Sequence, residues 1–133
     1  MTPAPGDQAS AGRRAAYKRG RNAEWRAALL LRAKGYRILA RGYRCRAGEI
    51  DIVARRGALL VAVEVKARTD LTAAAEAINP RQRIRIARAM RDFMARHRNF
   101  ADCDIRFDAI LMAPRRWPRH IVDAWRPGDG EQM

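Results

Sequence analysis

The stretch from Gly48 to Arg68, GEIDIVARRGALLVAVEVKAR, limits what this chain can fold into more than any other. Its second half, Ala58 to Ala67, is almost wholly apolar until Glu64 and Lys66 interrupt it near the far end. Such a run suits a strand covered on both faces. Charges at the end of a covered strand are costly unless something pairs with them. Arg56-Gly57 reads as a two-residue turn that joins this strand to a preceding one, with Gly supplying the positive φ that a tight hairpin needs.

Register then decides what Glu64 and Lys66 can meet. With the turn at Arg56-Gly57, Arg55 faces Ala58, Asp51 faces Ala62 and Glu49 faces Glu64. Alternation along the strands puts Asp51, Glu64 and Lys66 on one face. Asp51 and Glu64 are then diagonal neighbours, roughly 7–8 Å apart at the backbone. Two carboxylates at that spacing can reach one divalent cation. A three-residue loop would send Asp51 to the other face.

The chain has 133 residues, enough for one domain with a proper core. Its charge is unusual: 28 Lys plus Arg against 14 Asp plus Glu, a net +14, with nearly all of the base supplied by arginine. The planar guanidinium fork suits phosphate, so a polyanion partner is expected, nucleic acid ahead of a membrane surface. The competing account is an arginine excess inherited from a GC-rich genome. Cys45 and Cys103 are too few for a disulfide framework or a cysteine metal site, and His97 and His120 offer no zinc cluster. No apolar run reaches membrane-spanning length and the N-terminus lacks the apolar core of a signal peptide, so reduced thiols and a cytoplasmic location are expected.

Residues 1–12, with Pro3, Pro5 and Gly6, read as a disordered tail ahead of a single domain over 13–126, and 127–133 as a flexible tail. Arg13, Arg14, Lys18, Arg19 and Arg21 form a basic lead-in. A helix is expected from about Arg21 to Lys34, with Trp25, Ala28, Leu29 and Leu31 buried and Gly35 at its C-cap. Tyr36 to Arg44 reads as an edge strand. Thr72 to Ala77 is either a short helix or an ordered loop. Asn79-Pro80 is a helix start, Asn as N-cap and Pro at the first position, with the helix running to about His97. Ile86, Met90 and Phe93 form its apolar stripe. Arg81, Arg85, Arg88 and Arg96 make a basic ridge that is either a solvated face or a phosphate contact. Strands follow over Cys103 to Met112, where Arg106 and Asp108 share a face and can pair, and over Arg119 to Trp125. The order is αβββ(α)αββ, a mixed sheet flanked by helices.

Phosphodiester hydrolysis needs a nucleophilic water, stabilised phosphorus oxygens and help for the leaving alkoxide. Mg²⁺ sits in sites with one or two carboxylates and keeps waters that substrate oxygens displace. A nearby lysine orients the water or stabilises developing charge. Asp51, Glu64 and Lys66 supply that set, with the Val65 carbonyl as an extra ligand. The alternative is an ordinary ion pair between Glu64 and Lys66. Glu24, on the first helix, reads from the residues alone as a surface acid paired with Lys or Arg.

The run Tyr36-Arg-Ile-Leu, then Gly48-Glu-Ile-Asp51, then Val63-Glu-Val-Lys-Ala-Arg68, and last Arg106-Phe-Asp108, resembles the YraN family of small bacterial proteins over about residues 20 to 125. That family is described as endonuclease-like, akin to Holliday-junction resolvases and the PD-(D/E)XK restriction-endonuclease fold. The resemblance implies that fold, a Mg²⁺ or Mn²⁺ site at Asp51 and Glu64, Lys66 as the catalytic lysine, and Glu24 as a third carboxylate. It also implies a monomer or a homodimer. Ala23 stands where the family usually has Gly. Gln82 stands where it usually has Lys, and is expected with Arg81, Arg85, Arg88 and Arg68 to contact nucleic acid. The expected function is metal-dependent endonucleolytic hydrolysis of DNA, branched or single-stranded. The alternatives are a non-catalytic nucleic-acid-binding module on the same fold, and a ribosome- or protein-associated factor using the basic ridge.

Overall fold

The computed structural model describes residues 22–126. The expected tails over 1–12 and 127–133 and the basic lead-in up to Arg21 lie outside the described residues.

Helix α1 is described over residues 22–33. It ends as expected at Gly35, which holds φ +90°. The Gly35 N–H donates to the Arg32 carbonyl at 3.0 Å and the Tyr36 N–H to the Leu31 carbonyl at 2.9 Å, the paired bonds of a Schellman cap. The buried face is not the expected one. Ala23, Ala27, Ala28 and Leu31 are buried, whereas Trp25 is 54% and Leu29 42% exposed. At about 100° per residue, Trp25 lies roughly 200° from Ala23 and from Ala27. The helix therefore meets the sheet through three alanines and Leu31, which turns Trp25 and Leu29 outward.

Five strands follow: β1 (Arg37–Cys45), β2 (Gly48–Arg56), β3 (Leu59–Ala67), β4 (Asp104–Met112) and β5 (Arg119–Trp125). They form one sheet in the order β1-β2-β3-β4-β5. Only the β3–β4 pairing is parallel, the others being antiparallel. A parallel neighbour needs a crossover, and this is made by α2 (Leu71–Glu76) and α3 (Pro80–Arg96). A 3₁₀ turn at Arg98–Phe100 leads into β4. The sequence between Thr72 and Ala77 thus resolves as helix, with the Asp70 side chain capping it through the Ala73 N–H. Asn79 caps α3 as expected, its side chain accepting from the Gln82 N–H at 2.9 Å.

Helix α1 covers one face of the sheet, where Ala27, Ala28 and Leu31 pack with Ile52, Val61, Val63 and Ile110. On the other face Ile86, Met90 and Phe93 of α3 pack with Val53, Leu60, Ala62 and Phe107. Strand β3 lies between, and Leu60 to Val63 are fully buried. This is why its sequence is an unbroken apolar run from Leu59 to Val63.

The hairpin turn differs from the expectation by position. Arg56 pairs with Leu59 and Arg55 with Leu60, so the loop residues are Gly57 and Ala58. Gly57 takes φ +60°, which puts glycine at the first loop position rather than the second, the Gly-X arrangement of a type II′ turn. Val53, not Asp51, therefore faces Ala62. The slip is two residues, an even number, so each side chain keeps the face it was expected to occupy.

Candidate functional site

Pairing between β2 and β3 runs from Arg56↔Leu59 to Ile52↔Val63. Continued by one residue, it sets Asp51 opposite Glu64, a closer relation than the expected diagonal one. Beyond Ile52 the ladder gives way to a side chain: the Val65 N–H donates to Asp51 Oδ2 at 2.8 Å. The bond satisfies a strand donor and fixes the Asp51 carboxylate at the end of the sheet.

Glu64 is 4% exposed. Its Oε1 lies 3.1 Å from Lys66 Nζ and accepts from Gln82 Nε2 at 2.7 Å. Lys66 arrives two residues along the same strand, and Gln82 from the first turn of α3. The anticipated Glu64–Lys66 ion pair is thus present, with Asp51 beside it. Burial pushes the Glu64 carboxyl up to about 8 and the Asp51 charge adds to this, while Lys66 opposes it. Asp51 is also pushed up by burial, against the pull of the Val65 N–H and Lys66. Two desolvated carboxyls side by side resist carrying two charges, so the pair retains a proton at neutral pH.

A cleft of about 970 Å³ opens over these groups. Glu24 and Arg26 of α1 form one wall, and Arg68, Gln82 and Arg115 complete it. Glu24 therefore lines the same cleft as Asp51 and Glu64, yet its Oε1 sits 3.7 Å from Arg41 Nε. That is the surface pairing the residues alone suggested. Among the described residues, no three Asp, Glu, His or Cys side chains cluster closely enough to hold a metal ion together.

The arginine ridge divides. Arg81, Arg85 and Arg88 are exposed on α3 but do not line the cleft, and Arg96 pairs with Asp92 at 3.0 Å. Position along α3 is set by a close approach at Gly48, where a Cβ would lie 2.8 Å from the Arg85 carbonyl oxygen. Only glycine lets β2 and α3 come this near, and Gln82 is one turn before Arg85.

A second polar cluster lies on the opposite face of the sheet, around Asp108, which is fully buried. Arg106 grips both of its oxygens at 2.8 Å, as the shared face of the two residues led us to expect. Sequence reading missed the rest. His120 Nε2 lies 2.8 Å from Asp108 Oδ2, and the Asp123 N–H donates to Oδ1 at 3.0 Å. Arg106 also donates to the Tyr36 hydroxyl at 2.7 Å. Burial alone would raise the Asp108 carboxyl, but His120, Arg106 and the Asp123 N–H outweigh it and hold it at about 2. No periodicity signals His120, because β5 reaches Asp108 only through tertiary pairing. Cys45 and Cys103 are free thiols, and no helix is long and apolar enough to cross a membrane among the described residues.

Comparison with known proteins agrees over most of the length. A UPF0102 protein of Parvibaculum lavamentivorans is 58% identical over 113 residues, covering 85% of each chain. A UPF0102 protein of Paramagnetospirillum magneticum is 52% identical over 130 residues, 95% of this chain and 98% of the relative. One from Methylorubrum populi is 51% identical over 125 residues, 94% and 98% respectively. The model of "Uncharacterised protein family UPF0102" matches residues 23–112, a span that contains Asp51, Glu64, Lys66, Gln82 and the Arg106–Asp108 pair. The chain belongs to family UPF0102.

Proposed function

We propose that this protein is a Mg²⁺- or Mn²⁺-dependent endonuclease of the PD-(D/E)XK type that hydrolyses phosphodiester bonds in DNA. The observation that carries this reading is the meeting of Asp51, Glu64 and Lys66 at the floor of an arginine-walled cleft. Two desolvated carboxyls, each pushed up by burial and Glu64 further by the Asp51 charge, form a donor set that a hard divalent cation relieves. Asp51 and Glu64 would hold the cation, and Glu24 lines the same cleft, where it pairs with Arg41. The bound ion would supply Lewis acidity toward a phosphoryl oxygen and lower the pKa of a bound water. Lys66, held by Glu64, would place a positive charge where the phosphorane gathers negative charge. Gln82 would orient Glu64 through its 2.7 Å bond. Arg26, Arg68 and Arg115 would seat the backbone phosphates.

A second reading, a non-catalytic DNA-binding module, draws on one observation: Glu64 already has both Lys66 and Gln82, and Glu24 has Arg41. Calorimetric titration with Mn²⁺ separates the two, alongside cleavage of linear, flapped and four-way DNA. The nuclease reading expects Mn²⁺ uptake that Asp51→Ala and Glu64→Ala abolish, with cutting that falls by at least about 100-fold in Asp51→Ala. Undiminished cutting by Asp51→Ala, or cutting of none of these substrates, refutes it.

A further inference from the structure

Two of the three tryptophans of this chain are exposed. Trp125 is 4% exposed, packed on Phe107. Trp117 is 92% exposed, on the loop between β4 and β5. Tryptophan carries the largest apolar surface of any side chain and is highly buried on average, so near-complete exposure leaves its burial to a binding event.

The loop ties that indole to the cleft. It begins at Ala113, Pro114 and Arg115, all of which line the cleft that holds Asp51 and Glu64. Its shape is well defined: Arg116 N–H donates to the Ala113 carbonyl at 3.3 Å, Arg115 takes the left-handed φ +63°, and Pro114 and Pro118 fix their own φ. A pre-shaped loop loses little entropy when it binds. Arg115, Arg116 and Arg119 surround Trp117 in sequence, and all three are exposed. An aromatic ring set among arginines is the combination that binds single-stranded nucleic acid, with guanidinium groups on phosphates and the ring on a base face. Base faces are hidden in the stack of an intact duplex, so the indole can engage only an unstacked base.

We propose that Trp117 is a stacking platform for an unpaired base of DNA bound at this cleft, which makes single-stranded or locally unpaired DNA the preferred ligand. The assignment rests on the reading of the cleft as a DNA site, and it does not require that the DNA be cut.

The test is fluorescence anisotropy of the full chain in EDTA, with a labelled single-stranded oligonucleotide and a blunt duplex of the same sequence. Trp117→Ala is expected to weaken single-strand binding about 5- to 150-fold, equivalent to the ~1–3 kcal/mol of one base–aromatic stack. Duplex binding should change by less than about 2-fold, since the phosphate contacts remain. Trp117→Phe should keep most of the single-strand affinity. An unchanged thermal midpoint in Trp117→Ala shows that the fold is intact. Equal losses on both ligands, or none on the single strand, overturn the assignment. So does loss of self-association in Trp117→Ala, seen by sedimentation, with DNA binding unchanged, because the indole would then serve a protein contact. The separate Mn²⁺ cleavage assay keeps the two conclusions apart. Selective loss of single-strand binding in a protein that never cuts DNA sustains the platform and removes the nuclease. Cutting with unaltered single-strand binding does the reverse.

Discussion

Replacing Glu64 by glutamine should make this protein more stable above neutral pH, and the reason lies in the carboxyl's surroundings. Glu64 is buried beside Asp51, and its pKa rises from 4.5 to about 8. Between those two values the folded state binds more protons than the unfolded state, so stability falls as pH rises through the window. Below pH 4.5 the term vanishes, and above pH 8 it is complete. At about 1.36 kcal/mol per pH unit, the ionised carboxylate costs on the order of 5 kcal/mol. Asp51 shares that burden, which leaves on the order of 2–3 kcal/mol for Glu64 alone to return on neutralisation. Glutamine has the same shape, and its carbonyl oxygen can still accept from Gln82 and Lys66. Thermal unfolding of Glu64→Gln in EDTA should show a midpoint close to wild type at pH 4.5. At pH 8 to 9 the midpoint should be higher by on the order of 5–10 °C. Saturating Mn²⁺ should then close the gap by stabilising wild type alone, in proportion to the logarithm of its concentration over Kd. A pH-independent difference, or a variant less stable than wild type at pH 8, would refute the claim that desolvation and Asp51 dominate at Glu64.

Two further outcomes follow from the packing. Gly48→Ala sets a methyl group 2.8 Å from the Arg85 carbonyl oxygen, and moving α3 to relieve it should cost about 1–3 kcal/mol in urea unfolding. The same displacement carries Gln82 away from Glu64, so Mn²⁺ affinity measured by calorimetry should fall with it. Asp108→Asn leaves Arg106 facing a neutral partner at a fully buried position, which should cost about 3–5 kcal/mol. Because Asp108 is held at about 2 against an ordinary 3.8, its stabilising term is complete above pH 3.8 and is lost as pH falls through 2. Acid unfolding of wild type should therefore steepen across that interval, and the curve for Asp108→Asn should be flatter there.

Much of the architecture is written locally in this chain. The apolar run of β3 requires cover on both faces, Asn79-Pro80 starts α3, Gly35 ends α1, and the alternation over Cys103 to Met112 makes β4. Each of these depends on neighbours a few residues away, through backbone preference or side-chain period, so each can be read without knowing what lies opposite. The co-facial placement of Asp51, Glu64 and Lys66 belongs here as well. It depends on the parity of the hairpin loop, and parity survived when the loop moved one position to Gly57-Ala58 and the pairing shifted by two residues. What only the tertiary structure decided is which groups from distant segments meet. Trp25 and Leu29 faced outward because close packing through Ala23 and Ala27 determines how α1 is rotated on the sheet. Gln82 reached Glu64 because Gly48 lets α3 approach. His120 and the Asp123 N–H closed on Asp108 through a register shift between β4 and β5. Periodicity carries a face and a direction. Rotation about a helix axis, the depth of an approach and the partner of a buried charge are settled only when the layers pack together.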